Sequence, residues 1–150
     1  MSYDWDAIII GGGPAGSTVA RYAAKAGAKV LVIDRREPIG TPLQCGELVP
    51  TNGELKQLCP NVPDIDDLFQ TPNEAISRIT DKMGIVSPSG NRLEYPFKGQ
   101  ILNRPIHDEK LVYLAKKEGA EYLTKSRVND VIGNEVILKN GKHISSKIVV

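Results

Sequence analysis

Residues 7–34 read AIIIGGGPAGSTVARYAAKAGAKVLVID. Two apolar runs, Asp6–Ile10 and Val30–Ile33, are too short for helices, and neither alternates apolar with polar residues. Such runs suit strands buried on both faces of a parallel sheet. The segment between them reads as a helix. Pro14 suits its first turn, Val19, Ala20, Ala23 and Ala24 offer a small-residue face to a sheet, and Gly27 stops it. Together these elements make a βαβ unit of about 30 residues with a right-handed crossover.

Gly11, Gly13 and Gly16 have GxGxxG spacing between that strand and that helix. In this pattern Gly11 turns the chain tightly, Gly13 lets a pyrophosphate approach the backbone, and Gly16 lets helix and strand pack closely. The helix start then presents free N–H groups and a positive dipole end to phosphate. Asp34 ends the second strand, where a carboxylate can accept hydrogen bonds from ribose hydroxyls and disfavours a 2′-phosphate. A dinucleotide with a free adenosine ribose is the expected ligand. NAD and FAD present the same ADP half, so the cradle does not choose between them. Arg35 and Arg36 read as solvated charges.

The whole chain has 150 residues, 41% of them apolar and 25% charged, which describes an ordinary globular chain. Nineteen basic residues against 18 acidic ones leave a net charge of +1, so there is no long-range attraction to nucleic acid or anionic lipid. No apolar stretch approaches the roughly 20 residues that span a bilayer, and no basic leader precedes the first strand, so a cytoplasmic protein is expected. Cys45 and Cys59 lack metal-ligand spacing; they read as thiols, with a bridge between them left open.

From Arg35 to Asn73, six prolines predict a loop carrying one or two short helices, with Thr51 and Glu54 at capping-box spacing. Between Ala75 and Leu102 the runs ISRITDKMGIVSP, RLEYPF and GQILN predict separate antiparallel strands around an SPSGN turn. Ile106–Glu118 reads as a helix that presents His107, Leu111, Leu114 and Ala115 on one face. Short strands follow, with a hairpin turn at Asn140–Gly141. The fold class is therefore α/β: a Rossmann-like βαβ parallel sheet with an inserted antiparallel sheet. The apolar ending KIVV predicts the N-terminal part of a longer protein.

The stretch IGTPLQCGELVP (39–50) sets Cys45 in a loop broken by proline and glycine. With the cradle before it, this GxPxxCGE segment resembles the flavin-dependent geranylgeranyl reductases of archaeal lipid synthesis. These lie within the superfamily of para-hydroxybenzoate hydroxylase and electron-transfer-flavoprotein:quinone oxidoreductase. ILNRPIHDEKLVYLAKKEGAEYLTKSRVNDV (101–131) resembles the same family's Arg-led strand-to-helix segment. The resemblance spans essentially the whole chain, weakly between Thr51 and Gly99. Gln44 and Leu48 depart from it, since the family often has Arg and Gly there, and Asp34 stands where Glu is common.

The resemblance implies FAD as cofactor, with contacts at Ala15 in the cradle and Asp34 at the ribose. It further implies contacts at Cys45 and Gly46 beside the flavin, Arg104 along the ribose and pyrophosphate, and backbone at Val128 near the adenine. By residue type alone, Arg104 also suits a surface salt bridge, and Val128 suits strand core. The implied organisation is an incomplete FAD-binding domain over 1–150, with a substrate-binding antiparallel sheet starting at about 73–102, and a Gly-Ala-Asp-Gly-like turn following Val150. The implied activity is hydride transfer from reduced flavin to an isoprenoid double bond of a geranylgeranyl membrane lipid. The electron donor would be ferredoxin or reduced nicotinamide, and the enzyme could touch the membrane peripherally. Cys45 is either an acid or gate in that chemistry or an inert buried thiol. The rival functions are quinone-reducing or hydroxylating flavoproteins of the superfamily, and a non-catalytic nucleotide-binding module. His107 is assigned to packing and His143 to solvent.

Overall fold

In the computed structural model, which describes residues 3–43 and 46–150, β1 (Trp5–Ile10) runs into α1 (Pro14–Lys25) and then β2 (Val30–Ile33). After β2 come β3 (Leu48–Pro50), α2 (Asn52–Leu58), α3 (Ile65–Leu68) and a single 3-10 turn at Asn73–Ala75. The remaining elements are β4 (Ile76–Val86), β5 (Arg92–Leu102), α4 (Arg104–Lys117), β6 (Glu121–Leu123), β7 (Val128–Ile132), β8 (Glu135–Leu138) and β9 (His143–Val149). Two units emerge: Met1–Leu43 with Asp108–Val150, and Gln44–His107. Among the described residues, no helix is long and apolar enough to cross a membrane.

The first unit is built on a six-stranded sheet of order β6-β2-β1-β9-β8-β7. β6, β2, β1 and β9 are mutually parallel, with Ile8 opposite Leu31 and Val149, while β7 and β8 are antiparallel additions. The apolar runs are continuous because both sheet faces are covered. Ala7, Ile9, Val30 and Val32 pack against Ala20 and Ala24 of α1 and Ala115 of α4. On the other face, Ile8, Leu31 and Ile33 meet Val136, Leu138 and Ile144 of the β8–β9 arm. Each fully buried isoleucine or valine contributes about 1.5–3 kcal/mol of transfer free energy.

α1 starts at Pro14 as expected, and Gly27 follows it with φ +89°. Its inward face differs from the sequence reading: Ser17, Ala20, Arg21 and Ala24 are buried, while Val19 is exposed. At 100° per residue, a stripe centred on Ala20 and Ala24 takes in positions 17 and 21 and turns 19 outward. In α4 the buried residues are Asp108, Leu111 and Ala115, so Asp108 holds the inward position assigned to His107, which is only partly buried. The Asn140–Gly141 turn forms, with Gly141 at φ +83° and the Leu138 N–H bonded to the Lys142 carbonyl.

The second unit is a three-stranded antiparallel sheet, β3-β5-β4, with α2 and α3. RLEYPF and GQILN are one strand rather than two: Pro96 is tolerated opposite Lys82, beside a register shift between Thr80 and Lys82. A bulge relieves the ladder where proline has no N–H to give. β3 lies in the region read as loop; its three residues pair with Gly99, Gln100 and Ile101. Thr51 caps α2, accepting the Glu54 N–H at 3.4 Å. The reciprocal half of the capping box is absent, because Glu54 Oε1 instead accepts the Lys98 N–H.

Candidate cofactor site

The turn after β1 is fixed by backbone geometry. Gly11 has φ +106°, a conformation that disfavours side chains, and its N–H donates to the Ile33 carbonyl at 2.8 Å. Gly12 N–H donates to Asp34 Oδ2 at 2.7 Å, and the Gly12 carbonyl accepts the Ser17 hydroxyl at 2.7 Å. A Cβ on Gly16 would collide with the Gly11 carbonyl oxygen and come 3.2 Å from Ile9 Cγ2, whereas one on Gly13 would meet nothing within 4 Å. Gly13 thus faces open space at the head of α1, which no side chain caps.

That open space is a groove of about 460 Å³. It is lined by Gly11 and Gly13 of the turn, by Asp34, Arg35 and Arg36 after β2, and by Ser126, Arg127 and Val128. The last three are brought in by β6, whose parallel pairing with β2 sets Leu123 opposite Ile33. The Ser126 N–H donates to the Asp34 carbonyl at 3.0 Å, and the Asp34 N–H to the Leu123 carbonyl at 3.0 Å. The Asp34 carboxylate accepts one backbone N–H on each oxygen, from Gly12 and from Arg36 at 2.8 Å. A carboxylate has about four acceptor positions, so two remain for a diol. Glycine backbone open to phosphate, a helix start beside it and an acid with spare acceptors fit the ADP half of a dinucleotide.

Of the residues singled out in the sequence, Gly11, Gly13, Asp34 and Val128 therefore share one groove. Gly16 lies beneath the turn, and Ala15 is exposed in the first turn of α1. Gly46 and Arg104 belong to the second unit, where the Arg104 guanidinium donates to the Gly46 carbonyl at 3.4 Å. Cys45, and with it the bridge left open to Cys59, lies outside the described residues; Cys59 is an exposed thiol. His143 is exposed and sits 3.1 Å from Glu135.

Some residues of the site carried no signal in the sequence reading. Gly12 occupies a variable position of the motif, yet a Cβ there would stand 2.6 Å from Ile39 Cδ1 and 3.4 Å from Tyr122 Cε1. Three consecutive glycines were the available clue. Tyr122 donates to Ser17 Oγ at 3.0 Å, and burial pushes its phenol above the usual tyrosine range.

The cradle, the acid and the twice-covered parallel sheet define a dinucleotide-binding fold. The model of the family "FAD dependent oxidoreductase" matches residues 6–54. The chain is 36% identical over 132 residues to an uncharacterized Methanosarcina barkeri protein of the nifH2 5′ region, covering 88% of this chain and 71% of that one. It is 39% identical over 152 residues to the digeranylgeranylglycerophospholipid reductase of Thermoplasma acidophilum, covering 96% of this chain and 34% of the reductase. A solved geranylgeranyl bacteriochlorophyll reductase-like structure from the same organism superimposes with a TM-score of 0.75 at 31% identity, over 97% of this chain and 38% of that one. The chain belongs to the FAD-dependent oxidoreductase family that includes the archaeal geranylgeranyl reductases, and FAD is that family's cofactor. It spans about a third of the length of the geranylgeranyl reductases it matches.

Proposed function

We propose that this chain forms the FAD-binding part of a flavoenzyme that saturates isoprenoid double bonds of geranylgeranyl lipids. The observation that carries the reading is the groove formed by Gly11, Gly13, Asp34 and Val128 in a chain that is 39% identical, over nearly its whole length, to a digeranylgeranylglycerophospholipid reductase. Bound FAD would supply the hydride for the alkene. The residues of this chain do the rest. Gly13 and the α1 start, with Ala15, would hold the pyrophosphate on a turn that Gly16 lets pack closely, while Asp34 would accept the ribose hydroxyls and Val128 would flank the adenine. The family resemblance adds Arg104 and Gly46 as further cofactor contacts and Cys45 as a residue beside the flavin.

An isolated alkene has no carbonyl to activate it, so a proton donor must be positioned in a dry site. In this reading the Cys45 thiol serves as that acid or as a gate on flavin geometry, and Cys45→Ser with normal flavin content and unchanged reduction would leave it structural. The antiparallel sheet over about 73–102 is read as the start of the substrate-binding domain. It carries apolar cross-strand pairs, Ile85 opposite Leu93 and Met83 opposite Tyr95, with Ile85, Leu93 and Tyr95 exposed. Such a face suits a lipid chain better than a charged substrate. The partners in this reading are an isoprenoid lipid and a one- or two-electron donor, with the enzyme in peripheral contact with the membrane.

The test uses the full-length protein reduced with dithionite and incubated with a geranylgeranyl glycerophospholipid, followed by mass spectrometry. One hydrogen pair gained per double bond is expected. Flavin bound and reduced with no mass gain would overturn the lipid reading; a colourless protein that FAD cannot reconstitute would overturn the flavoenzyme reading itself.

A further inference from the structure

A trans peptide holds its N–H opposite its C=O. The Gly12 carbonyl is turned inward onto the Ser17 hydroxyl at 2.7 Å, and the Gly12–Gly13 peptide is not among the cis bonds of the chain. The Gly13 N–H, on the same peptide, therefore points away from Ser17, and Gly13 itself lines the groove, with no atom within 4 Å of a Cβ placed there. Ser17 is fully buried, and its own hydroxyl is in turn fixed by the Tyr122 hydroxyl at 3.0 Å, reaching from β6. Ser17 Oγ has one hydrogen and gives it to Gly12. Tyr122 supplies the hydrogen that Ser17 accepts, so the two hydroxyls form a directed chain ending on the glycine turn. The Tyr122 ring also abuts Gly12, and Ile39 closes the same side.

From this arrangement we infer that Tyr122 and Ser17 are positioning residues for the phosphate-binding N–H of Gly13, holding the glycine turn in its ligand-ready orientation before the cofactor arrives. The inference rests on the cofactor reading above and adds residues that touch no part of the ligand. It distinguishes phosphate recognition, which the chain controls, from adenosine recognition at Asp34 and Val128, which it leaves alone. Preorganisation of this kind strengthens binding by removing the cost of ordering the turn.

The test measures how ADP and adenosine compete with FAD for full-length apoprotein, using wild type, Tyr122→Phe, Ser17→Ala and the double variant. Tyr122→Phe removes one oxygen and keeps the ring, and should weaken ADP by about 3–10-fold, the scale of one hydrogen bond, with adenosine unchanged. Ser17→Ala should weaken ADP at least as much. The double variant should match Ser17→Ala alone, because the Tyr122 hydroxyl acts only through Ser17 and phenylalanine keeps the ring against Gly12. Equal losses for ADP and adenosine would mark general loosening of the fold and overturn the inference, as would wild-type ADP affinity in Tyr122→Phe. A wild-type protein that takes up neither FAD nor ADP would instead defeat the cofactor reading, and this inference with it.

Discussion

The Gly11–Gly12 peptide gives its N–H to Asp34 Oδ2 at 2.7 Å, so its carbonyl faces the opposite way, onto Gly16. Three residues of the motif are thus mechanically linked. Replacing Gly16 with Ala would press a methyl group into the Gly11 oxygen, turn that peptide, and pull the Gly12 N–H away from Asp34. Gly16→Ala should therefore lose FAD by at least about tenfold, which one to two kcal/mol of backbone displacement is enough to cause. Gly13→Ala meets no protein atom and would act only against the ligand. Flavin content after purification, with near-ultraviolet circular dichroism as a fold check, distinguishes the two. Full flavin loading of Gly16→Ala would contradict the linkage. At this scale the sequence motif identified which positions need glycine. It was silent on Gly12, whose crowding comes from Ile39 and from Tyr122, a residue 110 positions away.

At the scale of elements, the βαβ unit was readable because its strands are buried on both faces and its helix is bounded by Pro14 and Gly27. Elements whose form depends on a neighbour were not. β3 exists through its pairing with β5, and β5 continues past Pro96 because its partner is bulged there. Nor did the helical pattern of α4 reveal that a carboxylate lies inward. Asp108 packs under the loop that follows β2, where Gly40 has φ +90° and a Cβ would stand 3.0 Å from Asp108 Cβ and 3.1 Å from its carboxylate oxygen. Gly40→Ala should accordingly destabilise the first unit by about 1–3 kcal/mol, from left-handed backbone strain and contact with Asp108. Gly53→Ala, in α2 with only Thr51 Oγ1 at 3.8 Å, should be neutral or stabilise its unit by up to about 1 kcal/mol. Urea titrations of both variants read the two signs. Equal effects would show that local backbone geometry does not govern either site.

For the molecule as a whole, a net charge of +1 conceals a set of local pairings. Asp4 is held below the usual carboxylate range first by the backbone N–H of Ser145 and then by its hydroxyl, which ties the chain start to β9. The Lys147 ammonium lowers Asp6 from 2.6 Å, and the Lys125 ammonium lowers Glu37 from 2.8 Å. In the second unit, Lys56 lowers Asp66 and Arg92 lowers Glu94. A carboxyl whose folded pKa lies below its unfolded value, about 4, stabilises the fold above that pH and loses the contribution as pH falls through the folded pKa. The opposite limb comes from Lys125 and Lys147, raised by Glu37 and Asp6, and from Tyr122, raised by burial. Their contributions are complete below about pH 10 and disappear as pH rises through the folded values. Thermal unfolding temperatures should therefore be flat from about pH 5 to 9 and fall on both sides. Asp4, Glu37, Asp66 and Glu94 are exposed and Asp6 is half-exposed, so each loss is small and the acid limb is their sum. Asp6→Asn should make that limb shallower, and added salt should weaken what Asp6 contributes, whereas the Asp4–Ser145 hydrogen bonds should be nearly insensitive to salt. An acid limb equally steep in wild type and in an Asp4→Asn/Asp6→Asn variant would assign acid unfolding to other groups.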